Sequence, residues 1–136
     1  MEKVTVAATI NAPVEKVWNY WNAPAHINGW CFASPDWHAP HAENDLTVGG
    51  KFLTRMEARD GSFGFDFWGI YDAVEMHTHI AYTLGDNRQV TIEFISHGDS
   101  TEVIETFDTE DQNPVEMQQM GWQAILNNFK NYTENN

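Results

Sequence analysis

The sequence has very little cysteine and very little positive charge. Cys31 is the single cysteine in 136 residues, which excludes an internal disulfide framework. Lys and Arg number 7 against 20 Asp and Glu, a formal net charge of −13. The electrostatic term that draws proteins to nucleic acid or to anionic membrane is therefore adverse, and neither is expected as a partner. No stretch approaches the ~18 consecutive apolar residues of a membrane span. The Met-Glu-Lys start carries no apolar signal region, so a soluble, cytoplasmic protein is expected. Phosphate-loop and dinucleotide fingerprints are absent too, since "VGGKF" lacks the rest of either motif. Neither CxxC nor HExxH occurs, and no Ser-His-Asp order is present.

Aromatic residues, by contrast, are abundant: 6 Trp, 8 Phe and 4 Tyr. They exceed what a minimal core needs and suit a fold that also walls an apolar cavity. A length of 136 residues fits one domain spanning the whole chain. The acids are spread along it as a solvated surface rather than gathered in a tail.

"KVTVAATI" alternates, with Val4, Val6, Ala8 and Ile10 on one face, the period of a half-buried strand. In the "NAPVEKVWNYW" that follows, Pro13 suits a first helical position, and Val14, Val17, Trp18 and Trp21 form one apolar stripe. Asn-Ala-Pro recurs at 22–24 before "HINGW", predicting a second short helix. Strand-like segments come next: "GGKFLTRMEA", "SFGFDFWGIYDAV", "HIAYTL", "RQVTIEFI" and "TEVIETFD". Arg59-Asp60-Gly61, Gly85-Asp86-Asn87 and His97-Gly98-Asp99-Ser100 separate them with hairpin chemistry. From Pro114 to about Tyr132 the spacing predicts a long helix whose stripe includes Met117, Trp122, Ile125, Leu126 and Phe129. Asn113 is the expected cap, with Glu116 as its capping-box partner.

This order is that of an α+β helix-grip fold: a curved antiparallel sheet of six to seven strands around a long C-terminal helix, with two short helices after the first strand. "INAPVEKVW", "VGGKF", "RMEARDGSFGFDF" and "ETFDTEDQNPVEMQQMGWQAILNNFKNY" make the match closer. Over essentially its whole length the chain resembles the bacterial branch of the family named for activators of the Hsp90 ATPase, in the START-like (SRPBCC) superfamily. The resemblance implies that apolar small molecules are held between sheet and long helix. It also implies that relatives include cyclases, dehydratases and chaperone activators, among which a fold does not choose.

Alternation puts Phe52, Thr54 and Met56 on the concave face of one strand, Phe63, Phe65 and Phe67 on the next, and Val90, Ile92 and Phe94 on a third. In the last strand Glu105 falls inward between Val103 and Phe107. A carboxylate there needs a partner or takes up a proton. It is either a ligand anchor, a general acid or base, or one half of a structural ion pair. Arg55 and Glu57 alternate outward, within reach of Asp66, and carry no ligand role.

The segment "CFASPDWHAPHAEND", residues 31–45, reads as a loop at the cavity mouth. Asp36, His38, His41, Glu43 and Asp45 are metal-ligand types, but Pro35 and Pro40 break any helix that could pair the histidines, so no metal site is expected. Cys31, between Trp30 and Phe32 with no basic neighbour, reads as a small buried hydrophobe rather than a nucleophile.

The expected ligand contacts are Trp30, Phe32, Trp37, His38, Met56, Phe65, Phe67, Ile92 and Glu105 from the first two-thirds of the chain and the sheet. Trp122, Ile125 and Phe129 join them from the long helix. Core packing is the competing explanation for each apolar one. Three functions compete: a binding module for an apolar or amphipathic molecule without a cofactor; an acid-base enzyme using Glu105 and His38; and a chaperone co-regulator.

Overall fold

In the computed structural model, which describes residues 2–136, the chain begins with β1 (Lys3–Ile10), α1 (Val14–Asn22) and α2 (Pro24–Trp30). Six strands follow: β2 (Trp37–Asn44), β3 (Lys51–Ala58), β4 (Gly64–Glu75), β5 (His79–Leu84), β6 (Gln89–Ser96) and β7 (Thr101–Asp108). The last element is α3 (Val115–Asn135). All strands join one antiparallel sheet in the order β1-β7-β6-β5-β4-β3-β2, curled as a half-barrel around α3. This is the expected α+β helix-grip arrangement, at the upper strand count. The β3–β4, β5–β6 and β6–β7 connections turn at Gly61, Asn87 and Gly98, whose φ values of 77°, 73° and 87° need residues tolerant of the left-handed region.

Two local expectations are corrected. Residues 37–44 are not a loop but the edge strand β2. Pro40 breaks a helix yet is admissible on a sheet edge, and a register shift between His38 and His41 accommodates it. The long helix starts at Val115, and Asn113 makes no side-chain cap. Gln118, one turn into α3, instead ties down the loop that leads into the helix. Its Oε1 accepts from the Glu110 amide at 2.9 Å, and its Nε2 donates to the carbonyls of Glu110 and Asn113 at 3.0 and 2.8 Å.

The core is solid beside α1 and α2, where Trp21, Trp30 and Phe129 meet pairwise at centroid distances of 4.9 Å. α3 also closes the free edge of β1. Gln123 and Lys130 donate to the β1 carbonyls of Ala7 and Thr9 at 3.1 and 2.6 Å, and Glu134 accepts from the Asn11 amide at 2.8 Å.

Candidate ligand-binding site

β7 carries the one charged-type residue aimed into the concave face. Val103 and Phe107 are fully buried, and Glu105 between them is 6% exposed. Among the described residues it has no hydrogen-bond or ion-pair partner. Loss of hydration alone pushes its pKa up to about 8, so the carboxyl holds its proton at neutral pH. Cys31, at the C-terminal end of α2, is buried, and its thiol is pushed up to about 12 by burial and then by Glu105. Tyr82 on β5 is raised well above the ordinary phenol range, first by burial and then by Glu105. Three protonated groups, from β5, β7 and the end of α2, thus share one largely buried environment.

They border a hollow of about 310 Å³ between the sheet and α3. Phe52, Thr54 and Met56 of β3 and Phe65, Phe67 and Tyr71 of β4 supply the sheet wall. Ile27 and Trp30 close one side, and Trp122 and Ile125 of α3 lie across it. Trp122 is fixed by parallel stacking on Phe107, at 4.1 Å and 8°, and by an edge contact with Phe67 at 6.0 Å. At the β2 side Tyr71 Oη donates to Asn44 Oδ1 at 2.6 Å, and Asn44 Nδ2 donates to the Asn22 carbonyl at 2.8 Å. These bonds tie the sheet wall to the end of α1. A second, more open hollow of about 350 Å³ shares Met56, Phe65, Trp122 and Ile125 with the first and is bordered by Trp37 and the exposed Met117. Trp37 lies 6.0 Å from both Phe63 and Phe65, forming an aromatic rim.

A family model described as activator of Hsp90 ATPase homolog 1-like protein matches residues 11–134. The chain belongs to this family. The solution structure of an AHSA1-like protein from Aeromonas hydrophila is similar at 44% identity, covering 98% of this chain and 93% of that one, with a TM-score of 0.92. A solution structure from Cytophaga hutchinsonii is 59% identical, with coverage of 98% and 92% and a TM-score of 0.84. A crystal structure from Chromobacterium violaceum, 20% identical over 98% and 99% of the chains with a TM-score of 0.88, shares the fold. No curated protein shows significant sequence similarity to the chain.

In this member of the AHSA1-like family, the residues expected at the site fall into three groups. Trp30, Met56, Phe65, Phe67, Glu105, Trp122 and Ile125 all line the main hollow. Trp37 borders only the open one. Ile92 and Phe129 are fully buried core, and Phe32 packs against that core without lining either hollow. His38 lines neither. It is paired in register with Glu57, its Nε2 3.8 Å from Glu57 Oε1, so Glu105 and His38 are not brought together. Glu57 and Asp66 both hold Arg55, at 2.9 and 3.4 Å, as an outer-face cluster. Phe63 is 62% exposed and precedes β4. Among the described residues, no three His, Cys, Asp or Glu side chains stand close enough to hold a metal. His41 is bound instead to Glu43 at 2.7 Å.

Tyr71 and Tyr82 were not singled out as site residues. Both were signalled by alternation, with Phe65, Phe67 and Tyr71 on one strand and Ile80 and Tyr82 on the next. That Cys31 faces Glu105 had no local signal. It depends on where the end of α2 rests against the sheet.

Proposed function

We propose that this chain is a cytoplasmic binding protein for an apolar or amphipathic small molecule, held between the sheet and α3. The observation that carries the reading is the hollow of about 310 Å³, walled mainly by aromatic and aliphatic side chains and bordered by the Glu105 carboxyl, which has no partner among the described residues. Sites for small molecules are commonly concave and apolar, with a few placed polar groups. The family's description refers to Hsp90 ATPase activation. A chaperone partner is the competing reading, and it needs no internal ligand. An acid-base enzyme built on Glu105 and His38 has no assembled pair to support it.

Native mass spectrometry of protein purified from its own host, compared with the denatured mass, tests the proposal. The expected result is a discrete extra mass whose occupancy falls in Phe65→Ala, a change at a partly exposed position outside the buried core. A clean apo mass, with no stoichiometric binding of an apolar dye, would favour the chaperone reading.

A further inference from the structure

Resting on that binding reading, we infer that the hollow selects an uncharged ligand carrying a hydrogen-bond acceptor, such as a ketone, ester or amide, whose oxygen docks on Glu105. The geometry supplies the argument. Glu105 is a polar side chain more than nine-tenths buried, aimed into a cavity with no pairing group among the described residues. A buried polar group left in that condition is destabilising, and a ligand group of the complementary type recovers the loss.

Which type is complementary follows from the surroundings. The titratable groups nearest Glu105 are the Cys31 thiol at the end of α2 and the Tyr82 hydroxyl on β5. Tyr71 on β4 and Arg88 between β5 and β6 come in behind Tyr82, and the Arg88 guanidinium is bound to Asp86 at 2.8 Å. Glu110, which also lines the hollow ahead of α3, has its carboxylate held by the amide and side chain of Asn113 at 2.8 and 3.2 Å. Opposite Glu105 in the sheet stand Val6 of β1 and Ile92 of β6, and α3 presents Trp122 and Ile125, none of them titratable. Carboxyl, thiol and phenol all hold their protons at neutral pH, and none donates to another group among the described residues. Each of the three has a proton free to donate into the hollow, and the ligand atom that takes it is a lone-pair acceptor.

Charged ligands fit less well. An anion would enter a molecule of net charge −13, where the Arg88 charge lining the hollow is already engaged by Asp86. A cation would share the hollow with that same guanidinium. It would also have to drive the proton from Glu105.

The test is a titration followed by tryptophan fluorescence, since Trp21, Trp30 and Trp122 line the hollow. Four probes with one kind of apolar body are compared: methyl nonyl ketone, undecane, undecylamine and undecanoate. The ketone is expected to bind at least tenfold tighter than the other three at pH 7. Between about pH 7 and pH 9 its affinity falls about tenfold as Glu105 loses its proton. Glu105→Gln keeps a donor, stays within about threefold at pH 7 and loses the pH dependence. Glu105→Leu loses the preference for ketone over undecane.

If undecylamine binds tightest and its affinity rises toward pH 8, the inference is overturned in favour of a cation site. Equal binding of ketone and undecane, unaltered in Glu105→Leu, overturns the inference while leaving the binding function intact. Failure of all four probes removes the binding function itself, and the inference with it.

Discussion

Glu105 makes the stability of this protein depend on pH in a direction that a salt-bridged carboxylate would not. In the unfolded chain its carboxyl ionises near the ordinary value of 4.5, whereas in the fold it keeps its proton to about 8. Between those values the native state binds one more proton than the unfolded state. Stability is therefore whole below about 4.5 and is lost as pH rises toward 8. Glu105→Gln removes that loss. In urea unfolding it is expected to be more stable than the parent by about 2–4 kcal/mol at pH 8 and nearly equal at pH 4. A parent whose stability is flat from pH 5 to 8 would mean that the carboxyl is ionised and paired. Asp108 has the opposite sense. Lys3 Nζ at 2.7 Å and the Gln89 amide at 2.8 Å hold its carboxyl below the ordinary range, so its contribution is lost as pH falls.

At the level of elements, α3 grips the rest of the fold by contacts with β1, α1 and α2, and at α2 it approaches closely enough to need a glycine. A Cβ at Gly29 would overlap the Tyr132 ring, whose hydroxyl is bound to His26 Nδ1 at 2.9 Å. Gly29→Ala must displace that ring and loosen the hydrogen bond. The helical propensity gained, up to ~1 kcal/mol, does not offset overpacking of about 1–3 kcal/mol. The net expectation is a loss of ~1–2 kcal/mol in urea unfolding, reduced if Tyr132→Ala is combined with it. Additive losses in the double variant would show that the ring is not the obstacle.

The long helix was legible because its apolar stripe has one period over many turns. Edge strand β2 was not, because "WHAPHAEN" carries two histidines, a proline and a glutamate and presents neither helical nor strand periodicity. It is a strand only because β3 offers it a hydrogen-bonding edge, and its interrupted register shows how the proline is admitted. The start of α3 was misread for a related reason. Asn113 has the chemistry of a cap, but Glu110 takes its side chain at 3.2 Å, and Gln118 reaches back to its carbonyl rather than capping the helix amides.

For the whole molecule, a net charge of −13 means that compaction gathers like charges, and screening relieves the repulsion. The melting temperature is expected to rise by several degrees between about 10 mM and 200 mM sodium chloride, a range over which the Debye length shortens from ~30 Å to under 10 Å. An unchanged value would mean that the local pairs already balance the surface. At this scale too, no helix among the described residues is long and apolar enough to cross a membrane. By itself the sequence determined the element order apart from β2, the concave faces of β3, β6 and β7 and the inward direction of Glu105, because periods of 2 and 3.6 residues are set by backbone geometry. Only the tertiary structure decided which inward residues meet space and which meet each other. Trp122 borders the hollow, while Phe129, two turns further along the same stripe, is sealed between Trp21 and Trp30. His38 was separated from Glu105, and Cys31 and Tyr82 were brought to it, by the pairing of β2 with β3 and the seat of α2. These are contacts between residues far apart in the chain, and no local pattern encodes them.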